Sequence, residues 1–295
     1  MNASINQHRD LFSHVYSDFV SKAWPDKNSR LHRAIIYCLQ GEGKRVRGLL
    51  SMMVCAAYGR DPRFALSAAV AVEMLHAYSL AHDDLPCMDD DNYRRGRPAL
   101  HKAFDEATAL LAGDAILTDA MRVLSDDSFF PDSGLVSVSQ RLKIIRELSL
   151  AAGGHGMVYG QDFDLFWTGK EHYSDQVLEL IHRHKTGALI GASCAMGALS
   201  GGASEADARI WREIGALIGV AFQAIDDTLD SEVHIGKTPG KDKIQKKLTY
   251  MSLHSTSEIH DIAKRLTDKA IHLIPGNVSA NELIQFTREL VFRRR

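Results

Sequence analysis

Apolar positions recur along this chain at spacings of three and four, not two. Leu31, Ile35, Ile36 and Leu39 form one stripe, and Leu142, Ile145, Leu148 and Ala152 a second. Ile262, Leu266, Ala270 and Leu273 form a third. That spacing gathers apolar side chains on one face of an α-helix. Alternating runs of the strand type are nearly absent. The prolines at 25, 62, 86, 98, 131, 239 and 275 all fall between the stripes, where a missing N–H disturbs no helix. The pattern predicts an all-α chain of about a dozen helices. No repeat period and no Pro-, Gly- or Ser-rich linker divides it, so one domain over residues 1–295 is expected.

Two stretches, 64–84 and 188–225, are apolar on every face. Helices of that kind belong at the centre, surrounded by others. The run GALIGASCAMGALSGG at 187–202 is rich in small residues, which permits close helix approach. Each apolar stretch ends in acidic residues, Asp83 and Asp84 in one case, Asp226, Asp227 and Asp230 in the other. Two central helices presenting carboxylates at the same end are therefore expected.

Carboxylates closing a buried helix are costly unless cations sit on them. Asp83, Asp84, Asp89, Asp90 and Asp91 are followed at once by Arg94 and Arg95. Those arginines can neutralise the acids, and they also suit a polyanion such as a diphosphate. Asp226 and Asp230, four apart, share a helix face and can grip one ion. Mg²⁺ takes oxygen ligands and is usually held by one or two carboxylates plus substrate phosphates. Adjacent Asp126 and Asp127 serve as a control: they open the loop DDSFFPDSG, no basic partner is expected for them, and no role is assigned.

Composition narrows the classes. At 295 residues and 45% apolar content the chain can bury a sizeable core. A net charge of −2 gives no general attraction to nucleic acid or anionic lipid. The four cysteines are scattered without a CxxC pair, which suits a reducing, cytoplasmic setting and no structural zinc. The start, MNASINQHRDLF, does not read as a signal peptide. Residues 64–82 are apolar but carry Ser67, Glu73 and His76, so no membrane span is expected there.

Other motifs are weaker alone. QGEGKRVRG at 40–48 sets Lys44, Arg45 and Arg47 in a glycine-flanked loop before a helix, a place suited to phosphate or to an ordinary charged helix start. His76 lies two turns before Asp83 on the same face, either a core histidine or a ligand. GQDFDL offers Gln161 and Asp164, HKTGALI offers Lys185 and Thr186, and GKTPGKDKIQKKLTY is rich in lysine.

Taken together, these motifs resemble the trans-isoprenyl diphosphate synthases, and most closely the bacterial farnesyl diphosphate synthases. The resemblance runs through GKRVR, HAYSLAHDDLPCMDDDNYRRGRPALH, LAGDAIL, GMVYGQDFDL, HKTGALI, FQAIDDTLD and GKTPGKDKIQKKLTY, in order and over nearly the whole chain. It implies an isoprenoid-synthase bundle of long helices around a deep central cavity, as a homodimer. It implies three Mg²⁺ held by Asp83, Asp84 and Asp89 of DDxxxxD and by Asp226, Asp227 and Asp230 of DDxxD, with Asp164 assisting. Arg94, Lys185, Lys237 and Lys247 would hold the allylic diphosphate. Lys44, Arg47, His76 and Arg95 would hold isopentenyl diphosphate. Thr186 and Gln223 would lie beside the reacting allyl group. Tyr78, five residues before Asp83 and about 7.5 Å from it along a helix, would close the cavity floor and stop the product at fifteen carbons. Gly48 stands where this family commonly has proline, Ala81 where a larger aliphatic residue is usual, and Asn92 where a fourth aspartate is frequent.

Competing readings differ in what they leave unused. A geranylgeranyl diphosphate synthase shares every motif. A non-catalytic partner subunit of a heteromeric synthase shares the fold, but intact aspartates argue against it. His82-Asp83 imitates the HD pair of metal phosphohydrolases, a reading that leaves DDxxD unexplained. A terpene cyclase has no use for the Lys44–Arg47 pocket.

Overall fold

A computed structural model describes residues 3–41, 43–130, 136–170, 173–230 and 248–293. Among them are thirteen α-helices and one two-stranded ladder. The first three helices are α1 (Ala3–Ala23), α2 (Arg30–Leu39) and α3 (Val46–Ala57). A 3₁₀ turn at Pro62–Ala65 leads into α4 (Leu66–Asp83). Strands β1 (Tyr93–Arg94) and β2 (Arg97–Pro98) pair antiparallel. Next come α5 (Leu100–Ala103), α6 (Glu106–Ser125), α7 (Val138–Ala152), α8 (Met157–Trp167) and α9 (Asp175–His182). A π-helical turn, Arg183–Gly187, joins α9 to α10 (Ala188–Ser200). The chain continues through α11 (Glu205–Asp230), α12 (Thr256–His272) and α13 (Asn281–Val291).

Local chemistry marks the helix starts. Ser29, Asp105 and Ser137 each accept a backbone N–H from the first turn of α2, α6 and α7. Ser255 and Glu258 form a reciprocal capping box on α12.

α4 and α10 are central, as their unbroken apolar character predicts. Every residue of α10 from Leu189 to Ser200 is buried, and α10 packs along α3, α7 and α11. Small residues set that closeness: Ser51 Oγ of α3 donates to Ser193 O of α10 at 2.9 Å. The stretch from Pro62 to Asp83 is long and apolar enough to cross a membrane, and 72% of its most apolar window is buried inside the bundle.

Three expectations need correction. The apolar run 188–225 is two antiparallel helices, because Gly201 and Gly202 end α10 and Ser204 starts α11. α11 carries the second aspartate cluster, so the carboxylate-bearing pair is α4 and α11, and α10 packs against both. The second stripe holds at Leu148 and Ala152, which are buried, and at partly buried Ile145, but Leu142 is exposed, and Ile144 and Ala151 complete the buried face. Asp127 does have a basic partner, Arg141 of α7, and Asp126 accepts from Ser128 N. Both aspartates hold a loop, so they still carry no functional role.

Candidate active site

The chain doubles back where α4 ends. Asp89 N donates to Asp83 O at 2.8 Å, and Asp91 N to Asp84 O at 3.1 Å. This fold-back brings the last acid of DDxxxxD onto the helix end that carries the first two. Asp84, Asp89 and Asp91 are buried. The turn at Arg95-Gly96, both with positive φ, then reverses β1 into β2 and leaves Arg94 on the acids, while Arg95 lies toward Gly43, Arg45 and Glu73. Arg94 grips Asp84 bidentately, with Nε 3.0 and 3.2 Å from the two carboxylate oxygens, and stands 3.7 Å from Asp91. Burial pushes the Asp84 carboxyl up to about 6 against the pull of that guanidinium.

Lys185 occupies the π-helical turn, a distortion frequent at functional sites. Its Nζ lies 2.5 Å from Asp164 Oδ2 of α8. Burial opposes its charge, but Asp164, Asp83 and Asp89 outweigh burial and raise its pKa. First motif, α8 and π-turn therefore converge on one ammonium. Gly160 makes this possible, since a Cβ there would stand 2.2 Å from Lys185 N.

α11 supplies the second cluster. Asp227 accepts from Gln223 Nε2 at 3.0 Å and from Tyr250 N at 2.8 Å. Gln223 in turn accepts from Thr186 Oγ1 at 3.3 Å, so the two side chains meet. Asp226 pairs with Arg293, whose guanidinium also lies 4.1 Å from the Phe222 ring centre. The Asp230 side chain, Lys237 and Lys247 lie outside the described residues, so their expected roles rest on sequence.

A third group is cationic. Arg47 is half-buried, its pKa lowered to about 10 by desolvation, and its buried Nε has no hydrogen-bond partner among the described residues. His76 sits among Arg47, Arg95, Arg94 and Arg45; burial and those charges hold it neutral, far below its usual pKa. Such surroundings suit an anion and repel a metal. The Arg95 guanidinium lies against Gly43, 3.1 Å from where a Cβ would be. Lys44 feels Arg293 and Asp226 after partial burial, which places it beside the second cluster. Tyr78 is buried, edge-on to His82 at 5.6 Å. His82 Nε2 engages Leu110 O at 3.0 Å, away from an HD arrangement with Asp83.

Sequence reasoning missed Arg293 and the Arg45–Glu73 pair. Arg45 starts α3 in a left-handed conformation, donates to Leu39 O and Gly41 O, and covers the Tyr16 ring at 4.3 Å. Its Nη1 lies 3.8 Å from buried Glu73. Three basic residues in a row at 293–295 were the only available signal for Arg293.

The donor set fits Mg²⁺. Every acid gathered here offers oxygen, and Arg94, Lys185 and Arg293 stand on the carboxylates as exchangeable positive charge. Among the described residues no three acids, histidines or cysteines are close enough to cage an ion alone. Further ligands would have to come from a bound phosphate group.

Comparison with known proteins decides the family. Residues 28–280 match the family described as Polyprenyl synthetase. The chain belongs to the polyprenyl synthetase family. A farnesyl diphosphate synthase of Geobacillus stearothermophilus is 41% identical over 254 residues, 85% of this chain and 83% of that protein. The chloroplastic geranylgeranyl pyrophosphate synthase 12 of Arabidopsis thaliana is 42% identical over 257 residues, 85% of this chain and 70% of that protein. Among solved structures, a Helicobacter pylori geranyltransferase complexed with magnesium and isoprenyl diphosphate superposes with a TM-score of 0.79 at 28% identity, covering 96% of each chain. The all-α bundle described above is thus the polyprenyl synthetase fold, and the two aspartate clusters lie within the matched residues.

Proposed function

We propose that this polyprenyl synthetase is an Mg²⁺-dependent farnesyl diphosphate synthase. It would join isopentenyl diphosphate head to tail with dimethylallyl and then geranyl diphosphate. The observation that carries the reading is the convergence of Asp83, Asp89 and Asp164 on Lys185, together with a half-buried Arg47 whose buried Nε lacks an acceptor among the described residues. A buried guanidinium N–H left unused calls for an anion. One diphosphate would sit between Lys185 and Arg94, the other among Lys44, Arg47, Arg95 and His76.

Asp83, Asp84, Asp89, Asp226, Asp227 and Asp230 would hold Mg²⁺, expected as three ions, which would supply positive charge to the leaving diphosphate. Lys185 and Arg94 stay charged through the reaction and hold the departing group. The Thr186–Gln223 pair orients polar edges beside the allyl carbon. Apolar residues of α4 and α6 exclude water from the cation that forms. The double bond of isopentenyl diphosphate then attacks it, and a proton is lost to the departed diphosphate. No side-chain nucleophile is needed.

Product length rests on Tyr78. A buried, rigid phenol one and a half turns above Asp83 favours a fifteen-carbon stop. The Arabidopsis relative keeps the twenty-carbon reading as the alternative. Tyr78→Ala should shift product from farnesyl to geranylgeranyl diphosphate or longer, read by chromatography of the dephosphorylated prenols. A folded variant that still makes only farnesyl diphosphate would remove Tyr78 from this role.

A homodimer completes the proposal. Leu110 and Leu111 on α6, and Leu142 and Leu150 on α7, are exposed leucines that a second copy would cover. One catalytic domain over the whole chain is part of the same reading. So is a cytoplasmic location, supported by four unpaired cysteines.

A further inference from the structure

His182 ends α9, immediately before the π-helical turn that carries Lys185 and Thr186. Its ring is buried and stacked on Tyr250, 5.2 Å between centres at 18°. Nε2 lies 3.7 Å from Asp227 Oδ2 and has no hydrogen-bond partner among the described residues. Burial keeps the imidazole neutral, its pKa lowered to about 4, so it carries a single ring N–H.

We propose that His182 is a positioning residue for the second aspartate cluster, its Nε2–H closing onto Asp227 when Mg²⁺ and a diphosphate bind. The inference rests on the function proposed above. Asp227 already takes one donor from Gln223 and one from the Tyr250 backbone. His182 adds a third, from the segment that carries Lys185. It would therefore tie the cation on the leaving diphosphate to the carboxylate facing the metal. A gap of 3.7 Å exceeds a hydrogen bond, yet a buried donor left unmade is costly. Hydrogen bonds of this sort are often long without ligand and tighten in the complex. Outer partners of this type fix the plane of a ligating carboxylate and tune its affinity.

The bland alternative is that His182 only packs on Tyr250. Two variants separate the roles: His182→Phe keeps the stacked ring and removes the donor, whereas His182→Gln keeps a donor. Both would be titrated calorimetrically as full-length protein with inorganic pyrophosphate in saturating Mg²⁺. His182→Phe should weaken binding about tenfold, the loss of one hydrogen bond to a charged group. His182→Gln should stay within about threefold of the unsubstituted protein. In ¹⁵N-labelled unsubstituted protein, the His182 Nε2–H resonance should move downfield when Mg²⁺ and pyrophosphate are added. Equal affinity of His182→Phe and unsubstituted protein, or equal losses in both variants, would overturn the proposal. If His182→Phe does not fold, the resonance decides, and an unmoved signal in a binding protein overturns the proposal alone. An unsubstituted protein that does not bind Mg²⁺ and pyrophosphate would overturn the functional reading and this proposal with it.

Discussion

Gly48 gives the sharpest structural prediction, because both its amide and its missing Cβ meet buried groups. It is the third residue of α3, so its amide is one of those a helix start leaves unpaired. That amide donates to Glu73 Oε1 at 3.0 Å, and Glu73 is only 2% exposed. A Cβ on residue 48 would stand 2.6 Å from Cζ of Phe12, a fully buried ring on α1. Gly48→Ala therefore forces Phe12 to move, at about 1–3 kcal/mol for an overpacked core. Better helix propensity offsets up to about 1 kcal/mol. Gly48→Pro adds the same Cβ and removes the N–H, leaving Glu73 short of a partner for a further 1–3 kcal/mol or so. Stability by urea unfolding should rank unsubstituted protein first, Gly48→Ala second and Gly48→Pro last. In a double-mutant cycle, Phe12→Leu should recover part of the Gly48→Ala loss. Gly48→Ala as stable as the parent would refute the Phe12 contact. Gly48→Pro as stable as Gly48→Ala would refute the Glu73 hydrogen bond.

Two further predictions concern the site. Arg293→Gln should lower the Mg²⁺ concentration needed for half-maximal activity about fivefold, since a partly buried pair worth about 1 kcal/mol no longer competes for Asp226; an unchanged or higher requirement would count against that competition. The pKa of buried His182 is depressed from about 6.5 unfolded to about 4 folded. Its contribution is therefore present above pH 6.5 or so and lost as pH falls toward 4, about 3 kcal/mol at most. Asp84 opposes this, because its raised pKa favours the folded state on the acid side. The stability gap between unsubstituted protein and His182→Gln, followed by urea unfolding from pH 7 to pH 5, should move in favour of the variant; a constant gap would show that His182 does not titrate as described.

Much of this site was legible because its chemistry is local in sequence. The fold-back at Asp83–Asp91 and the Arg94-Arg95 turn lie within a dozen or so residues, and turn chemistry fixes their geometry. α4 and α10 were recognisable as central because no polar face exists to turn outward. Long-range partners were not legible. Arg293 reaches Asp226 across 67 positions of sequence, and no spacing rule links a chain end to a mid-chain aspartate. Leu142 fits its stripe by count yet faces outward, because a three-four pattern locates a face only to within one residue. The break at Gly201-Gly202 hid inside a small-residue run whose composition suits continuous helix and tight turn alike. His182 is one of fourteen histidines, and only its three-dimensional setting, stacked on Tyr250 with Nε2 toward Asp227, distinguishes it.

The central claim is that the two carboxylate clusters and the arginine–lysine pocket together extend a prenyl chain. The most direct measurement incubates the purified protein with Mg²⁺, dimethylallyl diphosphate and labelled isopentenyl diphosphate, then sizes the products. The account predicts Mg²⁺-dependent label in farnesyl diphosphate, with geranyl diphosphate as a transient. Release of pyrophosphate without any lengthened chain, or no reaction with Mg²⁺ present, would contradict it.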